Sequence, residues 1–288
     1  MAEKPDTSTG IVLPTTPEEK AALFAGLFRG RLDVYPRRWE NARTGKSGYA
    51  PHCANEWSRA LCQKPKVRCG ACASRAFVPV TAGVLYQHLR GELVAGAYPL
   101  VDGDRCHFVA VDFDGPGWQG DVAAYACTAR EVGLPVAIER SRSGEGAHAW
   151  CFFQTAVSAR AARQLASYVL TEAMSRRPEL GMKSYDRIFP SQDAVPRGGF
   201  GNLIALPLQW EARQHGNSVF VDDGLVPFPD QWEFLATLQR ITSATLELVV
   251  GEAPRRGRVL GVPLVRECLP LRAGEDRAMQ CPAPRTSP

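Results

Sequence analysis

The sequence predicts an α+β fold, two good helices against a mixed or antiparallel sheet. Three observations predict it. Phe108-Val-Ala-Val-Asp-Phe-Asp114 is an apolar run ending in two aspartates, as expected of a buried strand that emerges at a polar edge. Pro135 to Ile138 and Ala147 to Phe153 read as two strands around a turn with glycines at 144 and 146, together a hairpin with a glycine-rich tip. Helical periodicity runs over Gln119 to Val132, stopped by Gly133. It runs again over Ser158 to Arg177, where Ala162, Leu165, Ala166, Val169, Leu170 and Ala173 fall on one face.

The remaining elements follow in order. Residues 1–15 are polar and expected to be loose. Thr16-Pro-Glu-Glu19 is a capping box with proline at the first helical position, opening a helix to Phe28. A basic, aromatic segment and a cysteine cluster complete an N-terminal region over 16–90. The strands and helices over 91–245 form the core region. Leu203-Ile-Ala-Leu-Pro207 reads as a strand, and Asp230 to Ile241 as a late helix. The stretch 246–288 is expected to be an irregular tail, rich in Pro, Arg and Cys beyond Glu252.

Composition bounds the function classes. A chain of 288 residues with 45% hydrophobic content buries a substantial core. No apolar stretch is long enough to span a membrane. Nine cysteines without a signal peptide point to a reducing cytosol, hence a cytoplasmic protein without a disulfide framework. Cys106, Cys127 and Cys151 read as small core residues. The net charge of +4 does not by itself indicate nucleic acid. Its placement says more: Arg29, Arg31, Arg37, Arg38 and Lys46 interleave with Trp39 and Tyr49. Basic and stacking side chains together suit a single strand, and arginines snorkelling over an aromatic core give the same pattern.

Asp112 and Asp114 are the main chemical signal. Alternate strand residues share a face, so two like charges emerge together beside a buried strand. A divalent cation with hard oxygen ligands, Mg²⁺ or Mn²⁺, relieves that repulsion. A strand running into a polar turn at Gly115-Pro116-Gly117 gives the same dipeptide spacing. In the hairpin, Ser143, Gly144 and Gly146 offer backbone amides to an anion, and Arg140 and Arg142 add permanent charge. His148 falls on one strand face with Trp150 and Phe152. Asp186 is a candidate third carboxylate with Arg187 beside it, and an Asp-Arg pair at a strand entrance is the alternative. Arg197-Gly-Gly-Phe-Gly-Asn202 is a further basic glycine loop.

Cys53, Cys62, Cys69 and Cys72 lie close together, the last two as Cys-x₂-Cys. Four thiolates in one short basic loop suggest structural zinc, with His52 as an alternative ligand. A redox dithiol would open a helix after a strand, whereas the flank Lys64-Pro-Lys-Val-Arg-Cys-Gly reads as loop.

Taken together, these segments resemble the archaeo-eukaryotic primase, or primase-polymerase, superfamily. The shared pattern is a D-x-D, a Ser/Gly-rich turn ending in His, and a later Asp: here Asp112 and Asp114, Ser143 to His148, and Asp186. The likeness is closer to the primase module of the TOTE conflict systems. It rests on Phe28-Arg-Gly-Arg31, Arg38-Trp39, Thr44-Gly-Lys-Ser-Gly-Tyr49, Asn55-Glu-Trp57, Tyr185-Asp-Arg187, Phe189-Pro190, Gln192-Asp193 and Gly201-Asn-Leu-Ile-Ala-Leu-Pro207, in this order from about Ala21 to Leu235. The resemblance implies an RRM-like catalytic sheet with flanking helices and a small Cys-rich zinc-binding insertion. It implies two divalent cations on Asp112, Asp114 and Asp186. His148, the Ser143 turn and nearby arginines, Arg187 among them, would meet the triphosphate of an incoming nucleoside triphosphate. The template would be single-stranded DNA or RNA. Helicase and nuclease modules commonly joined to such primases are expected on another chain, or lost by truncation. No G-x-x-x-x-G-K-[ST] string occurs, and Thr44-Gly-Lys-Ser47 matches only its end.

Two other classes fit parts of the sequence. Asp112-Phe-Asp-Gly115 and Val221-Asp-Asp-Gly224 resemble motifs of haloacid-dehalogenase-like phosphatases, although Pro116 replaces the usual Thr. A zinc-containing nucleic-acid-binding module with an inactive polymerase site fits as well, and the three retained carboxylates speak against it.

Overall fold

Residues 108–114 are apolar on both faces until the two aspartates, so this strand has to be central in its sheet. The computed structural model describes residues 12–177, 180, 187–195 and 198–255. In chain order the elements are α1 (Pro17–Leu27), β1 (Pro36–Glu40), β2 (Ser47–Pro51), a 3₁₀ turn (Cys69–Ala71), α2 (Ala82–Arg90), β3 (Gly96–Ala97), β4 (Arg105–Asp114) and α3 (Trp118–Glu131). Then follow β5 (Ala137–Arg140), β6 (Gly146–Ser158), α4 (Ala159–Arg176), β7 (Ile188–Phe189), β8 (Ile204–Ala205), α5 (Trp210–Gln214), β9 (Val219–Val221), α6 (Gln231–Thr237) and α7 (Ser243–Arg255).

Five antiparallel strands form the main sheet in the order β7-β4-β6-β5-β9. Two small ribbons, β1-β2 and β3-β8, lie outside it. Helices α3 and α4 cover one face, with Phe113 of β4 against Tyr125 of α3 at 5.5 Å between ring centroids. On the other face Phe28, at the end of α1, stands edge-on to Trp150 and Phe152 of β6. With a buried layer on each face, β4 is apolar on both from Phe108 to Val111, and its polar groups lie at its two ends, Arg105 and His107 at the start and Asp112 and Asp114 at the finish.

Local chemistry explains most boundaries. Thr16 and Glu19 form the reciprocal capping box of α1. Ser158 caps α4 by accepting from Ala161 N. Gly133, at φ 77°, follows α3 in the left-handed conformation that ends a helix.

The late helix is shorter than the pattern suggests. It ends at Thr237, because Leu238 turns extended and Ile241 N donates to Phe152 O at 2.7 Å, binding that backbone to the sheet. A new helix, α7, starts at Ser243 and lies along α4, so regular structure continues past residue 245 to Arg255. The strand expected over Leu203–Pro207 is only Ile204–Ala205. Helix α2, which the sequence pattern does not announce, is capped by Thr81 and closed by Gly91.

That helix carries a buried histidine. His88 is fully buried, its Nε2 2.9 Å from Pro207 O while its Nδ1 accepts from Ala95 N at 3.1 Å. Both contacts fit a neutral ring that donates from Nε2. Burial pulls its pKa from 6.5 down to about 4. The unfolded chain therefore takes up a proton near pH 6.5 and the folded chain resists until about pH 4. Stability from this group is complete above pH 6.5 and falls as pH drops to 4, by ~3 kcal/mol in all. Urea denaturation should show His88→Gln less stable than the parent at pH 7, with the gap narrowing toward pH 4.5. A constant gap would contradict the neutral buried ring.

Candidate catalytic site and comparison with known proteins

Cross-strand register builds the site. Asp112 of β4 is paired with His148 of β6, and His148 with Glu139 of β5. The three side chains form a row across adjacent strands. His148 Nδ1 lies 2.9 Å from Glu139 Oε2, and Nε2 lies 3.6 Å from Asp112 Oδ1. A carboxylate only accepts, so Nδ1 carries the hydrogen given to Glu139. Trp150 Nε1 donates to the same Glu139 oxygen at 2.9 Å. Glu139 is only 2% exposed, and these two donors satisfy it.

The electrostatics follow from burial and neighbours. Burial pushes the Asp112 carboxyl up, His148 opposes that, and the like charge of Asp114 adds to it. Burial alone would lower the His148 pKa, but the charge and hydrogen bond of Glu139, with Asp112, raise it overall. Arg187 closes the row at its outer end. Its guanidinium pairs with Asp114 Oδ1 and lies 3.8 Å from Asp112 Oδ2. The two aspartates thus share one face, as alternation requires, and a cation already answers their charge. Their oxygens are the hard donors that Mg²⁺ or Mn²⁺ takes. Among the described residues, however, no three His, Cys, Asp or Glu side chains stand arranged around one ion position. Asp186, the expected third carboxylate, lies outside the described residues, as does Arg197.

The glycine hairpin is organised differently from an open amide nest. Gly144 N donates to Ser141 O at 3.0 Å and Glu145 N to Ser143 Oγ at 3.3 Å, so the turn uses its amides internally. Gly146 is required by packing: a Cβ there would lie 2.6 Å from Phe113 O. Arg140 also departs from expectation. Alternation puts it opposite Glu139, and it donates to Gly216 O at 3.0 Å and Leu225 O at 2.6 Å. It ties two loops together and is not directed at the carboxylates. Arg142 is on the site side, near enough to influence both Tyr49 and Arg38, with Nε buried and without a partner.

The basic aromatic segment divides. In the β1-β2 ribbon Arg38 pairs with Tyr49 and Trp39 with Gly48. Tyr49 is raised by burial, and it feels Arg142, Arg38 and Glu139, so this pair faces the site. Trp39 remains 44% exposed, and Arg37 and Lys46 are exposed. Arg29 and Arg31 are elsewhere, at the opposite end of β4, with Arg31 paired to Asp33.

All four clustered cysteines line one cavity of about 20 Å³. That is room for one water-sized or ion-sized occupant. Ala76 N donates to Cys53 Sγ at 3.3 Å, and backbone hydrogen bonds from Lys64 and Trp57 lower the Cys62 pKa. Amides directed at sulfur favour thiolate, the form that binds zinc. The donor set fits zinc, although the sulfurs do not converge on one point as they stand. His52 packs on Tyr35 and is not among the residues lining the cavity.

The late acidic motif of the phosphatase reading is used locally. Asp222 accepts from Gly224 and Val226 amides in its own turn, and Asp223 pairs with Arg130.

The family model of the TOTE conflict system, archaeo-eukaryotic primase domain, matches residues 19–249. The chain belongs to this family. Membership supports a nucleotidyltransferase type of activity. Among solved structures the archaeo-eukaryotic primase chain is similar to the polymerase domain of Mycobacterium tuberculosis ligase D in complex with DNA. The identity is 18% and the TM-score 0.40, covering 88% of this chain and 96% of that one. No curated protein matches it. Within this primase domain the mixed α/β architecture comprises the sheet and seven helices among the described residues. None of those helices is long and apolar enough to cross a membrane.

Glu139 is the residue that sequence reasoning missed. An acid inside the strand pattern Ala137-Ile-Glu-Arg140 was its available signal. Glu139→Leu leaves two buried donors without an acceptor and should cost about 1–3 kcal/mol for each. Glu139→Gln keeps an acceptor and should cost less. Chemical denaturation of both variants checks this, and equal stability would refute the double role of Glu139.

Proposed function

We propose that the chain is a metal-dependent primase-polymerase, which extends or initiates a nucleic-acid strand on a single-stranded template. The observation that carries this reading is the row Asp114, Asp112, His148 across the end of the sheet, in a chain of primase family. Asp112, Asp114 and Asp186 are the proposed holders of Mg²⁺ or Mn²⁺. Bound there, the cations would neutralise charge on the attacking oxygen and on the leaving pyrophosphate.

The chain's own residues do the positioning. Glu139 fixes the His148 ring, so that Nε2 is directed at the carboxylate face. His148, Ser143 and Arg142 are the proposed contacts to the triphosphate. Arg187, paired with Asp114 here, is the proposed contact to phosphate oxygens, for which its guanidinium would be available if a metal ion were to neutralise the carboxylates. Arg38, Trp39, Lys46 and Tyr49 are the proposed template contacts, through charge and stacking. Zinc is proposed to be held by Cys53, Cys62, Cys69 and Cys72, where it would brace the loop that follows β2. Helicase or nuclease partners on other chains complete the proposal.

Three measurements test it. Asp112→Asn should abolish nucleotide incorporation on a primed single-stranded template while leaving thermal unfolding unchanged. Retained incorporation would exclude the role, and phosphate-monoester turnover by the parent would favour a phosphatase. His148→Ala should weaken nucleoside triphosphate binding at least tenfold with template affinity nearly unchanged, and the reverse pattern would move the hairpin to the nucleic-acid track. Elemental analysis should find about one zinc per chain, lost when the four cysteines are replaced by serine. Metal-free, folded protein with four titratable thiols would rule zinc out.

A further inference from the structure

A large cavity lies away from the carboxylates. It has about 610 Å³, opens at the start of β4, and is lined by Arg29, Arg31, Asp33, Asp102, Arg105 and His107. We propose that this groove is a second phosphate site, which holds the backbone of a single nucleic-acid strand whose other end lies at Asp112 and Asp114.

Charge is the first argument. Asp33 occupies Arg31 through two hydrogen bonds, so that arginine is already answered. Arg29 and Arg105 form no ion pair among the described residues, and both are exposed. Arg105 makes only a long contact, 3.4 Å, to the Asp102 carbonyl. His107 stands between these charges. Burial lowers its pKa first, and Arg29, Arg105 and Arg240 lower it further, while the groove's two carboxylates, Asp33 and Asp102, act on Arg31. Cations gathered around a half-buried imidazole repel one another, and an anion at their centre relieves that. Guanidinium is the group best matched to phosphate oxygens.

Placement is the second argument. Arg29 directly follows Phe28, which packs on Trp150 and Phe152, the face of the sheet that bears His148. The groove therefore opens on the side of the sheet where the carboxylates lie. His107 and Asp112 are five residues apart along β4, with an irregularity between Cys106 and Phe108. At about 3.3 Å per residue the two sites are ~17 Å apart. A helical strand carries one phosphate per about 3.4 Å, so the groove meets the backbone about five phosphates from the carboxylates. The cavity is also far larger than one inorganic phosphate needs, which suits a run of chain.

This inference rests on the polymerase reading for the direction of the strand, but its test needs no catalysis. Binding is measured by fluorescence anisotropy in EDTA, with labelled single strands of about twenty and about four nucleotides, spanning and not spanning that distance. Arg29→Glu with Arg105→Glu should weaken the long strand tenfold or more. Its log-log salt slope should fall by about 1.4, for two phosphates at about 0.7 each. The short strand, and free nucleoside triphosphate measured separately with Mn²⁺ present, should change less than twofold. Arg29→Lys with Arg105→Lys should keep most of the long-strand affinity, which separates charge from folding. Unchanged long-strand affinity and slope would overturn the proposal. So would a parallel loss of triphosphate affinity, which would assign the groove to free nucleotide. If the groove variants behave as expected while the parent incorporates no nucleotide, the polymerase reading fails alone.

Discussion

The register of three antiparallel strands is the constraint on which the rest of the site depends. Pairing Asp112 with His148 and His148 with Glu139 places acid, base and acid in one row. A slip of one residue in β6 would send His148 to the helix-covered face and leave Glu139 buried without its donor. Gly146 secures the register at the strand's start, because no side chain fits between it and Phe113 O. Glu139 secures it chemically, since a buried carboxylate needs both His148 and Trp150.

This arrangement divides the sheet into a structural and a chemical end. From Phe108 to Val111 β4 is closed on both faces by aromatic and aliphatic side chains. Beyond that, the polar row opens near the β1-β2 ribbon, whose Tyr49 and Arg38 feel the charge of Arg142. The rigid part fixes where the carboxylates stand, and the ribbon brings a second element against the hairpin. Arg187 keeps the two acids compatible with folding by answering their charge directly. Placing charged groups on a strand end supported by a packed core limits their movement, which electrostatic catalysis requires.

Much of this was legible from sequence where a period of two or 3.6 residues governs the outcome. Asp112 with Asp114, and His148 with Trp150, follow from alternation along a single strand, and the capping residues Thr16 and Ser158 locate α1 and α4. Contacts between strands were not legible. Glu139 stands nine positions before His148, and only pairing through the turn joins them. Arg140 lies next to the turn in sequence, but its alternation with Glu139 directs it to Gly216 and Leu225. Gly144 and Gly146 looked like an anion nest, yet the oxygens that answer or crowd them belong to Ser141 and Phe113. The split of the basic segment depends on where the chain turns after Arg31, and no periodicity encodes that. Four cysteines close in sequence do line one cavity, while the relative placing of their sulfurs is set by loop packing that spacing does not encode.

The central claim is that the row at the end of β4 is a cation-dependent nucleotide site. Its most direct test is Mn²⁺ titration followed by electron paramagnetic resonance, in the presence of a non-hydrolysable nucleoside triphosphate. The account predicts Mn²⁺ binding by the parent that is lost in both Asp112→Asn and Asp114→Asn. Mn²⁺ binding of equal strength in the parent and both variants would contradict it.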